Sequence, residues 1–200
     1  MNVLAIESSG PEGSVAILRE GEVLVEIAFA CPRGRGSDLF RVLAEVVRPD
    51  VPLDRVLVGT GPGSYNGLRS GIAAAWGIAS ARGIPVSGVC SLLGYGESSY
   101  CILGDARAGQ WFFARVEHGS LAEEPLLFSP EEAIRRVPCG LPVFCSAALP
   151  GLTGVLVRAS RASILASVAA SGSGPAEPFY LKPPHVTSPS KPAGYFPDSR

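Results

Sequence analysis

The first thirty positions of the chain alternate short apolar runs with turn-forming residues. Residues 3–6, 14–18 and 22–29 are rich in side chains that favour strands, and short polar or glycine-containing turns separate them. Three consecutive runs with such short connections predict an antiparallel meander. We therefore expect the chain to begin with three paired strands.

Helical periodicity then replaces the alternation. Residues 37–48 carry apolar side chains at helical spacing, with Ser37 placed as the N-cap. Strands are predicted at 55–58 and 85–89, with a helix of small residues at 66–82 between them. The order β-β-β-α-β-α-β predicts an α/β fold of the ribonuclease H-like type. This unit is the half-module of the two-lobed actin-like ATPase fold of the Hsp70 and sugar-kinase superfamily.

The second half of the chain is patterned more weakly. Residues 100–107 and 110–117 flank the dipeptide Ala-Gly and predict a hairpin. The run SPEEAIRRV predicts a short helix with Ser129 as N-cap, Pro130 in its first position and Glu132 completing a capping box. Further expected elements are strands at 142–145 and 154–157 and a helix at 161–170.

Glycine, proline and serine dominate from residue 171 onward. Such a composition does not sustain long regular elements. The sequence thus predicts a ribonuclease H-like N-terminal lobe at 1–98, a smaller degenerate second lobe at 99–182 and a proline-rich C-terminal tail at 183–200.

The composition gives no support for binding to nucleic acid or membranes, or for a disulfide-bonded protein. The formal net charge is −1, so nothing global attracts the chain to nucleic acid or to an anionic membrane, and an RNA contact would be local or supplied by a partner. The five cysteines are odd in number and form no C-x-x-C pair, which favours reduced thiols over disulfides. No signal peptide or membrane-spanning run is recognisable, so we expect a cytoplasmic protein.

The segment GTGPGSYNGLRSGIAAAWGIA joins a predicted strand to the small-residue helix. Glycines at such a turn permit positive φ, and the exposed N–H groups at a helix start can hold an anion. The segment lacks the G-K-[ST] of a P-loop and the spacing of a dinucleotide-binding turn. We therefore favour a tight connection built for close packing, with phosphate binding kept as the alternative.

The small-residue helix has two distinct faces at helical spacing. One is suited to the sheet and comprises Leu68, Gly71, Ala75, Ile78 and Arg82. The other comprises Arg69, Ile72, Ala73, Trp76 and Ser80. On this second face the tryptophan either fills a pocket of a partner or packs against the chain itself, and both interpretations stay open.

Few residues offer catalytic chemistry. The only histidines are His118 and His185, and no H-x-x-x-H or H-E-x-x-H pattern is present, so no metal site is predicted. No G-x-S-x-G motif indicates a nucleophilic serine. Asp105 and Arg107 lie on one side of the predicted hairpin, where they pair with each other or take part in recognition. We predict no catalytic residue.

Four stretches together resemble the TsaB family, formerly YeaZ: LAIESS, GTGPGSYNGLRSGIAAAWGIA, GIPVSGVCSL and DARAGQWF. The usual family forms are I-D-T-S, G-P-G-S-F-T-G-L-R and D-A-R-R-G-E-x-Y. The resemblance covers about the first 117 residues well. Nearer the C-terminus, PFYLKPP is similar to a P-x-Y-L-R segment of the family.

The resemblance implies a non-catalytic scaffold subunit of the bacterial complex that makes threonylcarbamoyladenosine beside the anticodon of ANN-decoding tRNAs. Family members pair with a catalytic paralogue, TsaD, which carries the metal-binding histidines, and an ATPase, TsaE, joins them. ATP and a metal ion then belong to the partner subunits, and this chain has no cofactor of its own. We expect a self-dimer when it is alone, tRNA contact only through the complex, and no membrane contact.

The resemblance also assigns site residues. It favours packing of helix against helix for the small-residue segment, because the two helices form the dimerisation surface of the family. The implied partner interface comprises Leu39, Phe40, Leu43, Val47, Arg69, Ile72, Ala73, Trp76 and Ser80. The family motif turn comprises Gly61, Pro62, Gly63, Ser64, Gly67, Leu68 and Arg69. A candidate residual nucleotide cleft comprises Glu7, Ser8 and Ser9.

Several positions depart from the family pattern. Glu7 stands where the family usually has aspartate, and the turn SSGPEG lacks the D-x-G-T of active ATPases of the superfamily. Trp76 replaces a position often occupied by lysine, and PRGRGSDL lacks the family's histidine. Two alternatives remain: an autonomous ATP-binding enzyme of the actin, Hsp70 and kinase type, and a metallopeptidase.

Overall fold

The first sheet contains five strands: β1 (Asn2–Glu7), β2 (Glu12–Arg19), β3 (Glu22–Ala30), β4 (Arg55–Gly59) and β5 (Val86–Val89). Their order in the computed structural model, which describes residues 1–31, 38–169 and 173–182, is β3-β2-β1-β4-β5. The pairs β1–β2 and β2–β3 are antiparallel, whereas β1–β4 and β4–β5 are parallel. This arrangement confirms the ribonuclease H-like lobe predicted from the sequence.

Two helices, α1 (Leu39–Val46) and α2 (Tyr65–Arg82), cover one face of the first sheet and share one apolar core with it. Helix α2 begins after Ser64, whose side chain accepts the Gly67 N–H, and ends at Gly83 with φ of 64°. Such a left-handed residue commonly ends a helix. The predicted N-cap of α1, Ser37, lies outside the described residues.

The second sheet repeats the first in shorter form. Its strands are β6 (Tyr100–Asp105), β7 (Trp111–Glu117), β8 (Ser120–Leu121), β9 (Leu126–Phe128), β10 (Val143–Cys145) and β11 (Leu156–Val157). Strand β7 is antiparallel to β6, β8 and β9, while β10 is parallel to β6 and β11. The path β9-β7-β6-β10-β11 therefore has the strand order and directions of the first sheet.

The second unit has shorter and fewer helices than the first. Helix α3 (Pro130–Arg135) corresponds to α1 and has the predicted cap, because the Ser129 hydroxyl accepts the Glu132 N–H at 3.2 Å. The connection at 146–155 contains no helix, where the first unit has α2 between β4 and β5. The two sheets fit the predicted two-lobed fold, whereas the exact lobe boundaries stay a prediction.

The hairpin turn between β6 and β7 is wider than predicted. Arg107, Ala108 and Gly109 all have positive φ, of 62°, 54° and 72°. The Ala106 N–H donates to the Gln110 carbonyl at 2.9 Å and closes the turn. The Ala-Gly dipeptide is therefore part of a longer connection, and the prediction of a two-residue turn was wrong.

Helix α4 (Ala162–Val168) returns to the first sheet and covers its second face. Just before the helix, Arg161 forms an ion pair with Glu12 at 3.1 Å. The Ser163 hydroxyl donates to Glu26 at 2.6 Å. These polar contacts hold the start of α4, which follows the second sheet in the chain, against the first lobe.

After α4, residues 173–182, here called the C-terminal strap, run across both lobes. Gly174 and Gly88 exchange two backbone hydrogen bonds, of 2.8 and 2.9 Å. The Phe179 N–H donates to the Thr60 carbonyl at 2.8 Å. The strap therefore follows the edge of the first sheet towards the motif turn.

The strap ends on the second lobe. The Lys182 ammonium donates to the carbonyls of Ala106 and Arg107, at 3.0 and 3.1 Å. The proline-rich tail predicted at 183–200 lies outside the described residues. Within the part of the chain that is described, every helix falls short of the length or the hydropathy that a membrane crossing requires.

Candidate functional site

Three glycines, Gly63 in the motif turn and Gly67 and Gly71 in α2, lie against the turn that follows β1. A Cβ added at Gly63 would overlap the Ser9 carbonyl, and one at Gly67 would overlap the Ser8 carbonyl. One at Gly71 would overlap the Ser8 hydroxyl. The small residues thus allow α2 to approach the end of β1 more closely than any side chain would permit.

This packing confirms that Gly71 belongs to the face of α2 that packs on the sheet, and it limits the contact expected with a partner helix to the other small residues of α2. Gly67 and Gly71 face the interior of their own lobe, because the β1 turn lies directly against them. Gly77 is different, since a Cβ there would meet no atom within 4 Å. Of these three glycines, only Gly77 faces outward.

The candidate nucleotide cleft, Glu7, Ser8 and Ser9, is closed by the protein itself. All three residues are buried. The Ser9 N–H donates to Glu7 Oε1 at 2.6 Å, and the Ser8 hydroxyl donates to the Gly67 carbonyl at 2.9 Å. The Ser9 N–H and the Ser8 hydroxyl are thus bonded within the chain, while nucleotide binding at these three residues stays a prediction.

Glu7 is the most unusual polar residue of this region. It is 0% exposed, and its Oε2 makes no hydrogen bond of good geometry. Burial raises the pKa of its carboxyl above the ordinary value, and hydrogen bonding from Ser9, Ser91 and Ser160 opposes that rise only in part. Relative to an exposed glutamate, this shift favours the neutral acid.

The carboxyl of Glu7 also fills space. A Cβ added at Gly59 would overlap Oε2, and the same Cβ would lie 2.7 Å from the Ser91 hydroxyl. That hydroxyl accepts the Gly61 N–H at 3.0 Å, while the Ser160 hydroxyl donates to the Ser91 carbonyl at 2.8 Å. A compact polar cluster thus occupies the junction of β1, β4 and the motif turn.

The predicted partner-interface residues divide into exposed and buried groups. Phe40 and Trp76 are 61% and 52% exposed. Three smaller or charged residues of the predicted set are also exposed: Arg69, Ala73 and Ser80. These five remain accessible for contact with another molecule.

The remaining predicted interface residues require a correction. Leu39 is 0% exposed and Leu43 is also buried, because this side of the amphipathic helix α1 faces the sheet. Ile72 is 8% exposed and belongs to the same core, and Val47 is half-buried against it. These residues hold the helices in place instead of presenting a surface.

Five exposed residues of α2 form one stripe. Tyr65, Arg69, Ala73, Trp76 and Ser80 recur every three or four positions, so they lie above one another on the helix surface. Trp76 packs in part against the chain itself, since its indole N–H donates to the Ala176 carbonyl of the strap at 3.3 Å. Half of the side chain is exposed, and its contact with a partner stays a prediction.

A groove of about 450 Å³ lies between this stripe and the strap. At one end the rings of Tyr65 and Tyr180 stack with centroids 5.1 Å apart. The Arg69 guanidinium lies 5.1 Å from the centre of the Tyr65 ring and also donates to its hydroxyl. The groove is lined by Tyr65, Arg69, Ile72, Ala73, Pro178 and Tyr180.

The strap residues of this groove were missed by the sequence analysis. Their signals in the sequence are the aromatic run PFYLK, in a stretch otherwise rich in proline and glycine, and the similarity of PFYLKPP to the family's P-x-Y-L-R segment. Such a run indicates an anchored segment because large apolar residues seldom persist in a chain that is fully solvated.

Other candidates contribute little. The Asp105 carboxylate accepts the Arg107 backbone N–H at 2.7 Å, and no ion pair between their side chains occurs in the described structure. His118 lies in a turn with φ of 49°, and His185 is outside the described residues. No group of three potential metal ligands occurs among residues 1–31, 38–169 and 173–182.

The described cysteines are free thiols. Desolvation raises the pKa of Cys90 and of Cys145 to about 11, and that of Cys31 likewise. At neutral pH these thiols stay protonated, which makes them poor nucleophiles.

Comparison with known proteins identifies relatives along most of the chain. The family model described as "TsaD: tRNA N6-adenosine threonylcarbamoyltransferase" matches residues 42–126. The uncharacterized protein Rv3421c of Mycobacterium tuberculosis is 32% identical over 199 residues, covering 91% of this chain and 92% of that protein. The tRNA threonylcarbamoyladenosine biosynthesis protein TsaB of Escherichia coli is 26% identical over 129 residues, covering 58% of this chain and 55% of TsaB.

A solved structure agrees with the fold. A Pseudomonas aeruginosa protein described as similar to peptidase YEAZ superposes with a TM-score of 0.67 at 24% identity. The match covers 90% of this chain and 99% of that protein. The two-lobed arrangement seen here is therefore shared over nearly the whole of that molecule.

Proposed function

We propose, since the chain belongs to the TsaB (YeaZ) family, that it is a non-catalytic subunit of the complex that makes N6-threonylcarbamoyladenosine in tRNA. In this role it pairs with a TsaD-type catalytic subunit, and a TsaE-type ATPase joins the assembly. ATP and the metal ion belong to those partners, and tRNA is engaged only in the complex. The complex acts in the cytoplasm on its tRNA substrates.

The closed turn after β1 is the observation that carries the non-catalytic part of this proposal. A turn that holds a phosphate presents free backbone N–H groups to it. Here the Ser9 N–H is bonded to Glu7, and the Ser9 carbonyl accepts the Ser64 N–H at 2.7 Å. Both groups are thus committed to the fold.

The exposed stripe of α2 supports the pairing part of the proposal. Trp76 is half-exposed, and Phe40 on α1 is exposed beside the same face of the sheet. Aromatic and arginine side chains are enriched at the centres of protein interfaces. In the absence of the catalytic subunit, the same surface would join two copies of this chain.

The proposal is tested in bacterial cells depleted of their own TsaB-type subunit. Expression of this chain with its cognate TsaD-type subunit should restore threonylcarbamoyladenosine, measured by mass spectrometry of digested tRNA. The two purified subunits should also co-elute as a heterodimer. Failure of both restoration and co-elution would contradict the proposal.

An autonomous ATP-dependent enzyme is the alternative from another class, and it follows from the superfamily fold. ATP turnover by the isolated chain distinguishes the two. We expect no hydrolysis above a buffer control, whereas robust turnover without partners would favour the enzyme. A metallopeptidase would instead require about one equivalent of zinc or iron to co-purify.

A further inference from the structure

A second groove, of about 310 Å³, lies between residues 124–127 at the start of β9 and residues 179–181 at the end of the strap. It shares only Tyr180 with the groove beside α2. Its volume lies in the range of pockets that hold small molecules or aromatic side chains. The second groove therefore belongs to the second lobe and to the strap.

The lining of the second groove is mostly apolar. Leu126 is 53% exposed, and Pro125 beside it is buried. Phe179 and Leu181 line the opposite side and are half-buried, and Leu181 also packs against the core of the second lobe. An apolar group that covered these side chains would remove them from water, which favours binding.

Two carboxylates stand at the edge of the second groove. Glu124 lines it, Glu123 directly precedes it in the chain, and both are exposed. Neither forms an ion pair within residues 1–31, 38–169 and 173–182. An apolar groove beside such carboxylates is suited to an apolar segment that carries basic residues.

Residues 183–200 lie outside the described structure, and their sequence has this chemistry. The adjacent aromatic residues Tyr195 and Phe196 interrupt a run of proline, serine and other small or polar residues. Lys191 precedes the pair by four positions, Arg200 follows it by four, and a single aspartate is the acidic residue of the segment. The strap carries a similar aromatic run, PFYLK, and that run is held against the protein.

The same segment starts beside the second groove. Leu181 lines the groove, and the ammonium of Lys182 is held by two carbonyls of the β6–β7 turn. Residues 183–194 can span about 40 Å when extended, so the aromatic pair reaches back to the groove with length to spare. The sequences TSPS and PAG within them favour a reversal of the chain. Because the segment is tethered, even a weak contact is populated.

We infer that the aromatic pair Tyr195–Phe196 binds in the second groove of its own chain, between Leu126 and the strap. Lys191 and Arg200 flank the pair and face the two carboxylates. The bound segment then holds the end of the strap from the side of the second lobe. This contact forms within one molecule and needs no TsaD-type subunit, so it can fail while the proposed function stands.

A disulfide trap in the full-length chain tests the contact. Leu126→Cys and Pro197→Cys leave the aromatic pair intact, and Cys139→Ser removes an exposed native thiol. Mild oxidation of the dilute protein should link positions 126 and 197 within one molecule, as measured by mass spectrometry of the digested protein. The control places the first cysteine at Ile134, which is exposed on α3 outside the groove, and it should be linked at least about ten-fold more slowly.

Hydrogen exchange tests whether the aromatic pair causes the contact. Tyr195→Ser combined with Phe196→Ser should make amide exchange within residues 124–127 and 179–181 at least about ten-fold faster, because the groove is then open to water. Val186→Ser removes an apolar side chain from the same segment outside the pair. This control should leave exchange at both places unchanged.

Three outcomes overturn the inference, after thermal unfolding has shown that each variant folds. Equal rates of linkage from positions 126 and 134 would show that the segment meets both by chance. Linkage between two molecules instead of within one would assign the groove to the segment of another copy. Unchanged exchange in the double serine variant would show that the aromatic pair does not cover the groove.

Discussion

At the scale of single residues, the most unusual group is Glu7, a buried acid at the end of β1. Its carboxyl is buried beside Gly59, and one oxygen has no hydrogen-bond partner. A buried unpaired carboxylate is costly, whereas the neutral acid is much less so. This residue therefore makes folding stability depend on pH.

Glu7→Gln should change the pH dependence of unfolding. The pKa of Glu7 in the folded state is raised above 4.5, so its contribution to stability is fully present below that pH. The contribution is lost as the pH rises through the raised pKa, with a slope of at most about 1.4 kcal/mol per pH unit. The glutamine variant keeps the shape of the side chain and lacks this loss.

Chemical unfolding of both proteins across a pH series measures the effect. The free energy of unfolding of the wild type relative to Glu7→Gln should fall as the pH increases above about 4.5. Other titrating groups are common to both proteins and cancel in the difference. Two parallel curves would show that the pKa of Glu7 is the same in the folded and unfolded states, which would contradict the raised pKa.

At the scale of elements, helix α2 has an inner face fixed by the β1 turn and an outer face that lines the groove beside the strap. Ala75 is 0% exposed, whereas Ala73 is exposed and lines the groove. The two alanines are two positions apart, so they point to different sides of the helix. This difference makes them a matched pair.

Ala75→Glu should unfold the protein or lower its stability by several kcal/mol, because it buries a charge in the core. Ala73→Glu should change stability by less than about 0.5 kcal/mol and still abolish pairing with the catalytic subunit. Thermal unfolding and pull-down of the partner measure the two effects. The reverse pattern would show that the faces of α2 are assigned the wrong way round.

The glycines of α2 provide a second matched pair. Gly77→Ala should stabilise the isolated chain by about 0.5–1 kcal/mol, since the position is open and alanine favours helices. Gly67→Ala should destabilise it by about 1–3 kcal/mol, because the new Cβ meets the Ser8 carbonyl. Denaturant unfolding compares the two, and equal effects would contradict the close packing described for Gly67.

At the scale of the whole molecule, the strap connects the two lobes and lies beside the exposed stripe of α2. Ala176 is buried in the core of the first lobe, and Lys182 binds the β6–β7 turn of the second. Leu181 also packs against the core of the second lobe. A change at one end of the strap can therefore affect the groove along α2.

Ala176→Glu should release the strap from the first lobe, because a carboxylate cannot remain in that core without a partner. We expect a lower melting temperature, by about 2–4 °C for each kcal/mol lost at this chain length, and faster proteolysis within residues 173–182. Partner binding should weaken as well. Glu177→Ala, at the neighbouring exposed position, is the control and should change none of these measurements.

The sequence alone determined the elements of the first lobe and the family. Alternating periodicity predicted β1–β5, and helical periodicity predicted α1 and α2. Each pattern depends only on which side of that one strand or helix is buried. The helix cap at Ser129 was likewise predicted, because capping is a local interaction. Strands β8 and β9 were missed because two or three residues are too few to show a period.

The tertiary structure decided which residues are accessible and which distant segments meet. The family resemblance placed Leu39 at the partner surface, and helical spacing placed Ile72 on the outer face of α2. Both lie in the core, because burial depends on where the sheet lies relative to each helix. The contact of Tyr65 with Tyr180 joins positions that no local pattern relates. Packing between remote parts of the chain therefore formed the groove beside α2 and buried the turn at Glu7. The helices and strands that line these two places were determined by the local preferences of the sequence.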